Sequence, residues 1–168
     1  MGLGGILFFV ARAVRFSLAV CAVYAVCRLI FLAVKRHTPD WRREAVNLLF
    51  VAYFAALVEI IALRGGVGET RELRLVPLHT TLGTLKDGPW AFVYNLMGNL
   101  IWFMPLGMFL HKKKPLRAML IGAAVSLSLD ALQWLMMTGV TDIDDVIINA
   151  LGTFIGAIFM RILNKNNM

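Results

Sequence analysis

The chain has 168 residues, of which 60% are hydrophobic and only 16% are charged, and its mean hydropathy is +0.75. A water-soluble protein of this composition would expose too much apolar surface, so the composition excludes that class and predicts a membrane protein. The net charge of +7 comes largely from clusters beside apolar stretches, which indicates topology and anionic-lipid contact and excludes nucleic acid as an expected partner.

Five stretches are long and apolar enough to cross a bilayer, which takes about 20 residues. We predict helices because no stretch alternates like a barrel strand and because backbone groups in lipid must be paired within closed elements. The expected fold is therefore an all-α transmembrane bundle that forms a single domain over residues 1–168. The predicted spans are Ala13 to Val34, Ala45 to Leu63, Ala91 to Leu110, Ala118 to Met137 and Ile143 to Leu163.

An apolar run, residues 3–10, precedes the first span and has no basic residue ahead of it. Arg12 and Arg15 follow the run, whereas a secretory signal peptide carries its positive charge first. We therefore expect residues 2–11 to form an interfacial lead-in or a tilted extension of the first span.

Basic clusters in the connecting loops predict how the chain is oriented. The segment KRHTPDWRR joins spans one and two, HKKKPLR joins spans three and four, and Arg161 and Lys165 lie at the end of the fifth span. The positive-inside rule places these segments in the cytoplasm. The N-terminus is then expected outside and the C-terminus inside.

Four of the predicted spans place polar residues at a similar depth, roughly 3 to 12 Å below the outer surface when each helical residue rises about 1.5 Å. An amide in hydrocarbon without a partner costs roughly 2–7 kcal/mol, so polar residues at this depth are candidates for function. We expect them to line a polar cleft that opens outward. The predicted cleft residues are Glu59, Asn95, Asn99, Asp130, Gln133, Asp145 and Asn149, together with Asp142 at the start of the fifth span.

Small residues near these polar positions predict how the helices pack. Gly152 and Gly156 form a GxxxG pair on the face of the fifth span that also carries Asp145 and Asn149, and such pairs let another helix approach closely. Pro105 and Gly107 are expected to kink or loosen the third span toward its inner end, where neighbouring groups can satisfy the freed carbonyls.

The acidic block TDIDD, which opens the fifth span, allows three interpretations. Thr141 or Asp142 can cap the helix, while Asp144 and Asp145 meet its positive end. Asp142, Asp144 and Asp145 can instead hold a divalent cation with an acid from a neighbouring helix, although the glycine and glutamate of an EF-hand are absent and no metal is the main expectation. The block can also recognise a lipid or antibiotic head group.

Features that would predict an enzyme are sparse. The three histidines lie in loops, Ser126 and Ser128 have no helical histidine to act as a base, and no metalloprotease, P-loop, hydrolase or dinucleotide motif occurs. We therefore expect no catalytic residues and no cofactor, and a non-catalytic protein is favoured over an enzyme.

Three blocks, YNLMGNLIWFMPLGMFL, DALQ and DIDDVIINALGTFIG, resemble the pattern of the VanZ-like family of bacterial membrane proteins. The resemblance covers roughly Leu75 to Met160. The chain departs from the pattern at Asp130, where many relatives have Glu, and at Gly139 and Val140, where they have Arg. The positions that follow the pattern are Asn95, Asn99, Phe103, Pro105, Gly107, Gln133, Asp142, Asp145, Asn149, Gly152 and Gly156.

The resemblance implies a multi-pass protein of the bacterial cytoplasmic membrane that is linked to teicoplanin resistance, with no assigned reaction. We expect the cleft to bind an envelope lipid or a cell-wall intermediate and so to modulate glycopeptide susceptibility. The expected partners are membrane lipids and a lipid-linked cell-wall intermediate or a glycopeptide. A small transporter or flippase, whose midspan acids carry protons, and a lipid-modifying enzyme, whose paired carboxylates act as acid and base, remain as alternatives.

Overall fold

The computed structural model describes residues 3–36, 38–63 and 70–166. Within these ranges, five helices are long and apolar enough to cross a membrane, which confirms the predicted all-α transmembrane class. The chain divides into two compact units, Met1–Arg64 and Gly65–Met168, which are described separately. The single domain over residues 1–168 stays a prediction.

The first unit consists of helix α1, Leu3–Lys35, and helix α2, Trp41–Ile61. Because α1 begins at Leu3, residues 3–11 of the expected lead-in are part of the same helix, and Gly2 lies outside the described residues. The side chain of Asp40 caps α2 by accepting hydrogen bonds from the backbone N–H groups of Arg42 and Arg43, at 3.2 and 3.3 Å.

An ion pair links the two helices of the first unit near the basic loop. Arg28 donates to both carboxylate oxygens of Glu44, from Nη2 at 2.7 Å and from Nε at 2.9 Å. Its guanidinium also lies 5.1 Å from the centre of the Phe31 ring. A forked pair of this kind satisfies two charges that apolar helices would otherwise carry at a high cost.

The second unit contains a short helix, α3, His79–Gly83, and three long helices, α4, Pro89–Phe109, α5, Pro115–Met136, and α6, Ile143–Asn166. Proline occupies the first position of both α4 and α5, where its missing N–H is not needed and its φ suits a helix. Gly88, the residue before α4, has φ +111°, a conformation that other residues rarely adopt.

A small parallel sheet in the second unit was not predicted. Strand β1, Thr70–Arg74, pairs with strand β2, Thr138–Asp142, so that Thr70 lies opposite Thr138 and Arg74 opposite Asp142. Each strand has five residues, far too few to span a membrane. Because parallel strands need a long crossover, α3, α4 and α5 all lie between them in the chain. The pairing brings β1 beside the acidic block.

Helices α4 and α6 touch backbone to backbone through glycines. A Cβ atom added to Gly152 would overlap the carbonyl oxygen of Leu100, and one added to Gly156 would overlap that of Met104. A Cβ on Gly107 would overlap the backbone of α6 in the same way. Helix α4 continues through Pro105 to its end. Gly107 was expected to kink or loosen the helix. In the structure it allows the backbones of α4 and α6 to pack closely.

Candidate functional site

Polar residues of α5 and α6 face one another in a regular antiparallel register. Each step of four residues forward along α5 matches a step of four residues back along α6, because such steps return to the same helix face. This register brings together Gly122 with Thr153, Ser126 with Asn149, and Asp130 with Asp145. The structure thus places Asp130, Asp145 and Asn149 in one contact. Gly152 and Gly156, which were predicted on the same face of the fifth span as Asp145 and Asn149, lie against α4 instead.

Asn149 is buried in this contact, with 2% of its surface exposed. Its Nδ2 donates to the hydroxyl of Ser126 at 2.9 Å, and its backbone carbonyl accepts from the hydroxyl of Thr153 at 3.0 Å. Among the residues that the structure describes, no group bonds to Asn149 Oδ1. A buried acceptor without a partner costs about 1–3 kcal/mol, so this atom requires an explanation.

Asp130 lies one helical turn from Ser126 and is also 2% exposed. Its backbone carbonyl accepts from the hydroxyl of Thr141 at 3.1 Å, but its Oδ2 has no hydrogen-bond partner in the described ranges. Asp145 and Asp142 are close enough to act on Asp130 electrostatically. We refer to Ser126, Asp130 and Asn149 as the inner polar layer.

A second set of polar residues is only half-buried. Asn99, at the centre of α4, donates from Nδ2 to Oδ1 of Asp145, which lies in the first turn of α6. Asn95 lies one turn before Asn99 and is also half-buried. We refer to Asn95, Asn99 and Asp145 as the outer polar layer. Three of the long helices thus contribute to the two layers.

Two carboxylates of the acidic block, Asp142 and Asp144, accept hydrogen bonds from different parts of the second unit. Asp142 Oδ1 accepts from the backbone N–H of Asp144 at 2.9 Å, which matches the expected capping of α6. Asp144 points elsewhere: its two oxygens accept from the backbone N–H groups of Leu78 and Thr81, the latter at 2.8 Å, and so hold the start of α3. Both acids are buried.

The hydrogen bonds of Asp144 argue against the alternative in which Asp142, Asp144 and Asp145 bind a divalent cation. Both oxygens of Asp144 are engaged by backbone N–H groups, which leaves them poorly placed to coordinate a metal. Within residues 3–36, 38–63 and 70–166, no three or more Asp, Glu, His or Cys side chains form a group that could hold a metal ion.

Gln133 is buried where α5 turns into β2. Its backbone carbonyl accepts from the hydroxyl of Thr138 at 3.3 Å. Its side-chain amide lies against Gly139, since a Cβ atom there would overlap Gln133 Nε2. Met137 turns the chain with φ +53°. Gln133 is therefore packed inside the turn between the two elements.

Glu59 lies in the first unit, in α2, and is 5% exposed. Its carboxylate accepts from Arg12 Nε of α1, and Arg12 Nη2 also donates to the carbonyl of Leu63. The carboxylate that was expected to line the cleft is thus engaged by an arginine of its own unit. Ion pairing of this kind stabilises charges in apolar helices.

Sequence reasoning missed an arginine beside the acidic block. Arg74 of β1 lies opposite Asp142 in the sheet, and its Nε donates to Glu72 at 2.8 Å. The hydrogen bond to Glu72 raises the pKa of Arg74, with a further contribution from Asp142, and the same bond lowers the pKa of Glu72. Strand β1 thus places a guanidinium on the strand beside the one that leads into the acidic block.

Three further hydroxyl residues, Ser126, Thr141 and Thr153, complete the hydrogen bonding of the two helices. A signal for two of them is present in the sequence. Ser126 lies four residues before Asp130, and Thr153 lies four residues after Asn149, so each falls on the polar face of its helix. Thr141 lacks such a signal because its partner depends on how β2 leaves α5.

Comparison with known proteins identifies the family of the chain. A family model described as VanZ/LLP1 matches residues 45–164, more than two thirds of the sequence. The match includes α2 and Glu59, which the resemblance over Leu75 to Met160 left out. No curated protein and no solved structure matches the chain. The chain therefore belongs to the VanZ/LLP1 family and is a multi-pass membrane protein of the VanZ type.

Proposed function

We propose that this protein binds an envelope lipid or a lipid-linked cell-wall intermediate at the outer polar layer and thereby modulates susceptibility to teicoplanin-type glycopeptides. The proposal places the protein in the bacterial cell membrane, with membrane lipids as its general partners. Residues of the second unit form the site: the outer layer contacts the ligand, the inner layer supports it, and Asp142 and Gln133 hold the adjoining β2 turn.

The observation that carries this proposal is the half-buried pair of Asn99 and Asp145. A carboxylate and an amide that remain partly exposed within apolar helices are costly in lipid unless a polar ligand or water covers them. Cell-wall intermediates and lipid head groups offer the hydroxyl, amide and ammonium donors that a carboxylate accepts. The pair therefore favours a polar head group held beside the apolar helices.

The bonding and burial of Ser126, the serine in the contact of α5 and α6, favour binding over catalysis. The Ser126 hydroxyl accepts from Asn149 Nδ2 and is 1% exposed, so it is neither free nor accessible for attack on a substrate. Asp144 accepts hydrogen bonds from backbone groups, Asp145 accepts one from Asn99, and Asp130 is buried beside other acids. These arrangements support binding of a ligand more than acid–base catalysis.

Replacing Asp145 with Asn tests the site with little change of shape. Asp145→Asn keeps an oxygen that can accept from Asn99 but removes the charge offered to the ligand. Loss of a charged hydrogen bond costs about 1.5–3 kcal/mol, so affinity should fall roughly tenfold to a hundredfold. We expect weaker binding of a fluorescent undecaprenyl-linked cell-wall intermediate to the purified protein in lipid nanodiscs.

The matched control is Asp87→Asn, which removes an exposed acid between α3 and α4 and should leave binding unchanged. In cells, both variants should reach the membrane at the level of the unmodified protein, and only Asp145→Asn should abolish its effect on teicoplanin susceptibility. If Asp145→Asn binds the intermediate and protects as well as the unmodified protein does, the outer polar layer is not the binding site.

A further inference from the structure

We propose that the inner polar layer is a proton-binding site, in which Asp130 holds one exchangeable proton while Asp145 stays ionised. The proposal concerns how Asp130 and Asp145 share charge, and it does not depend on the identity of any ligand at the outer layer. Four features of the described part of the second unit support it: the facing acids, the acidic residues packed against α5, two unsatisfied acceptors and the amide on Asp145.

The first feature is that two carboxyl groups face each other across the contact of α5 and α6. Asp130 is 2% exposed, and Asp145 acts on it electrostatically. Two like charges that meet across a mostly buried helix contact repel each other, and carboxyl groups that share a site can keep one proton between them. A shared proton is therefore the simplest charge state for the pair.

The second feature is the charge on the elements packed against α5. Helix α6 contributes Asp145, β2 contributes Asp142, and both are acids that act on Asp130. Helix α4 contributes the neutral amide of Asn99, which bonds Asp145. Strand β1 brings Arg74, but its guanidinium is bonded to Glu72 and acts on Asp142. The described surroundings of Asp130 thus favour its neutral form.

The third feature is that two buried atoms of the inner polar layer, Asp130 Oδ2 and Asn149 Oδ1, have no hydrogen-bond partner among the described residues, and both are acceptors. An ionised carboxylate can only accept hydrogen bonds, whereas a protonated one carries an O–H donor. A proton on Asp130 turns one unsatisfied acceptor into a donor. Asn149, which bonds Ser126 one turn from Asp130, has an acceptor that lacks a donor.

The fourth feature decides which acid carries the proton. Asn99 Nδ2 donates to Asp145 Oδ1, and a donated hydrogen bond favours the ionised form of a carboxyl group. Asp130 Oδ2 has no such donor in the described part of the chain. Asp145 is half-buried, so it also gives the pair its contact with the surroundings through which a proton can be exchanged.

Infrared spectroscopy of the full-length protein in phospholipid vesicles tests the proposal directly. At neutral pH we expect the carbonyl stretch of a protonated carboxyl group, and this band should shift when the sample is transferred to D₂O. The band should be absent from Asp130→Asn and retained in Asp87→Asn, which removes an exposed acid. If the unmodified protein lacks the band, or if Asp130→Asn keeps it, the proposal is wrong.

A second measurement guards against a variant that fails to fold. Asn is a neutral near-isostere of protonated Asp, so Asp130→Asn should keep the melting temperature of the unmodified protein to within a few degrees, whereas Asp130→Leu should lower it. A large loss of stability in Asp130→Asn would mean that the ionised form is the one stabilised, which overturns the proposal.

The remaining alternative is that a metal ion, and not a proton, balances the charge of Asp130 and Asp145. Changing the ions in the buffer distinguishes the two. Spectra are recorded without sodium and magnesium and again with each ion added. A proton site predicts the same band in all three. If the band appears only when one ion is withdrawn, that ion and not a proton occupies the pair, and the proposal fails.

Discussion

At the residue scale, the partners of Asp144 decide what the acidic block does. Its carboxylate is 2% exposed and accepts from two backbone N–H groups at the start of α3, at Leu78 and Thr81. Leu78 has φ +63°, a conformation that a leucine adopts only when its surroundings hold it. Asp144 therefore anchors the segment before α4 to the start of α6.

Removing this carboxylate should release the segment. Asp144→Ala leaves the N–H groups of Leu78 and Thr81 without an acceptor, and the second of these is buried, which should destabilise the protein by on the order of 3 kcal/mol. Hydrogen exchange at the Leu78 and Thr81 amides should accelerate, and thermal unfolding in detergent should begin at a lower temperature. Asp87→Ala serves as the control. Unchanged exchange at both amides in Asp144→Ala would show that the anchor lies elsewhere.

At the element scale, close contact between α4 and α6 sets the position of the polar residues. Gly152 and Gly156 lie against the carbonyl oxygens of Leu100 and Met104, so a larger residue cannot be accommodated by rotating a side chain. Backbone approach of this kind replaces the hydrophobic effect as the driving force between helices in lipid. It also brings Asn99 within reach of Asp145.

Enlarging one of these glycines should separate the helices. Gly156→Val places carbon atoms where the Met104 carbonyl lies, and overpacking of this type costs about 1–3 kcal/mol. The matched control is Gly98→Ala in α4, because a Cβ there meets nothing within 4 Å. Thermal unfolding should show a lower melting temperature for Gly156→Val only. Equal melting temperatures for both variants would contradict the packing described for α4 and α6.

At the scale of the whole molecule, the ends of the spanning helices carry the features of membrane interfaces. Trp41 begins α2, while Trp90 and Tyr94 lie in the first turns of α4, and all three are largely exposed. Exposed Trp and Tyr at helix ends are typical of the head-group level. Such residues occur at both faces of a membrane, so the orientation with the N-terminus outside and the C-terminus cytoplasmic stays a prediction from the basic loops.

Thiol labelling of single-cysteine variants tests this orientation. In a protein whose own cysteines are replaced by serine, a cysteine at Asp87 should react with a membrane-impermeant reagent added to intact cells. A cysteine at Lys113, in the loop between α4 and α5, should react only after the membrane is opened. The reverse result would invert the topology and place the polar layers toward the cytoplasm.

Several properties follow from the sequence alone. The five spanning helices are set by local runs of apolar residues, and the family is set by residues in a fixed order, so neither needs knowledge of the packing. The polar positions on α4, α5 and α6 are also local information, since four-residue spacing puts them on one face of each helix. Asn99, Asp130 and Asn149 could therefore be predicted from the sequence as members of one polar region.

Tertiary structure decided the partners of these residues, because a partner depends on the register and approach of another element. Asp144 binds Leu78 and Thr81, which lie 66 and 63 residues earlier in the chain, and no local pattern marks such a pairing. Strands β1 and β2 were missed because each is short and acquires its hydrogen bonds only from the other. Glu59 has an apolar sequence around it, and only the packing of α1 on α2 reveals Arg12 as its partner.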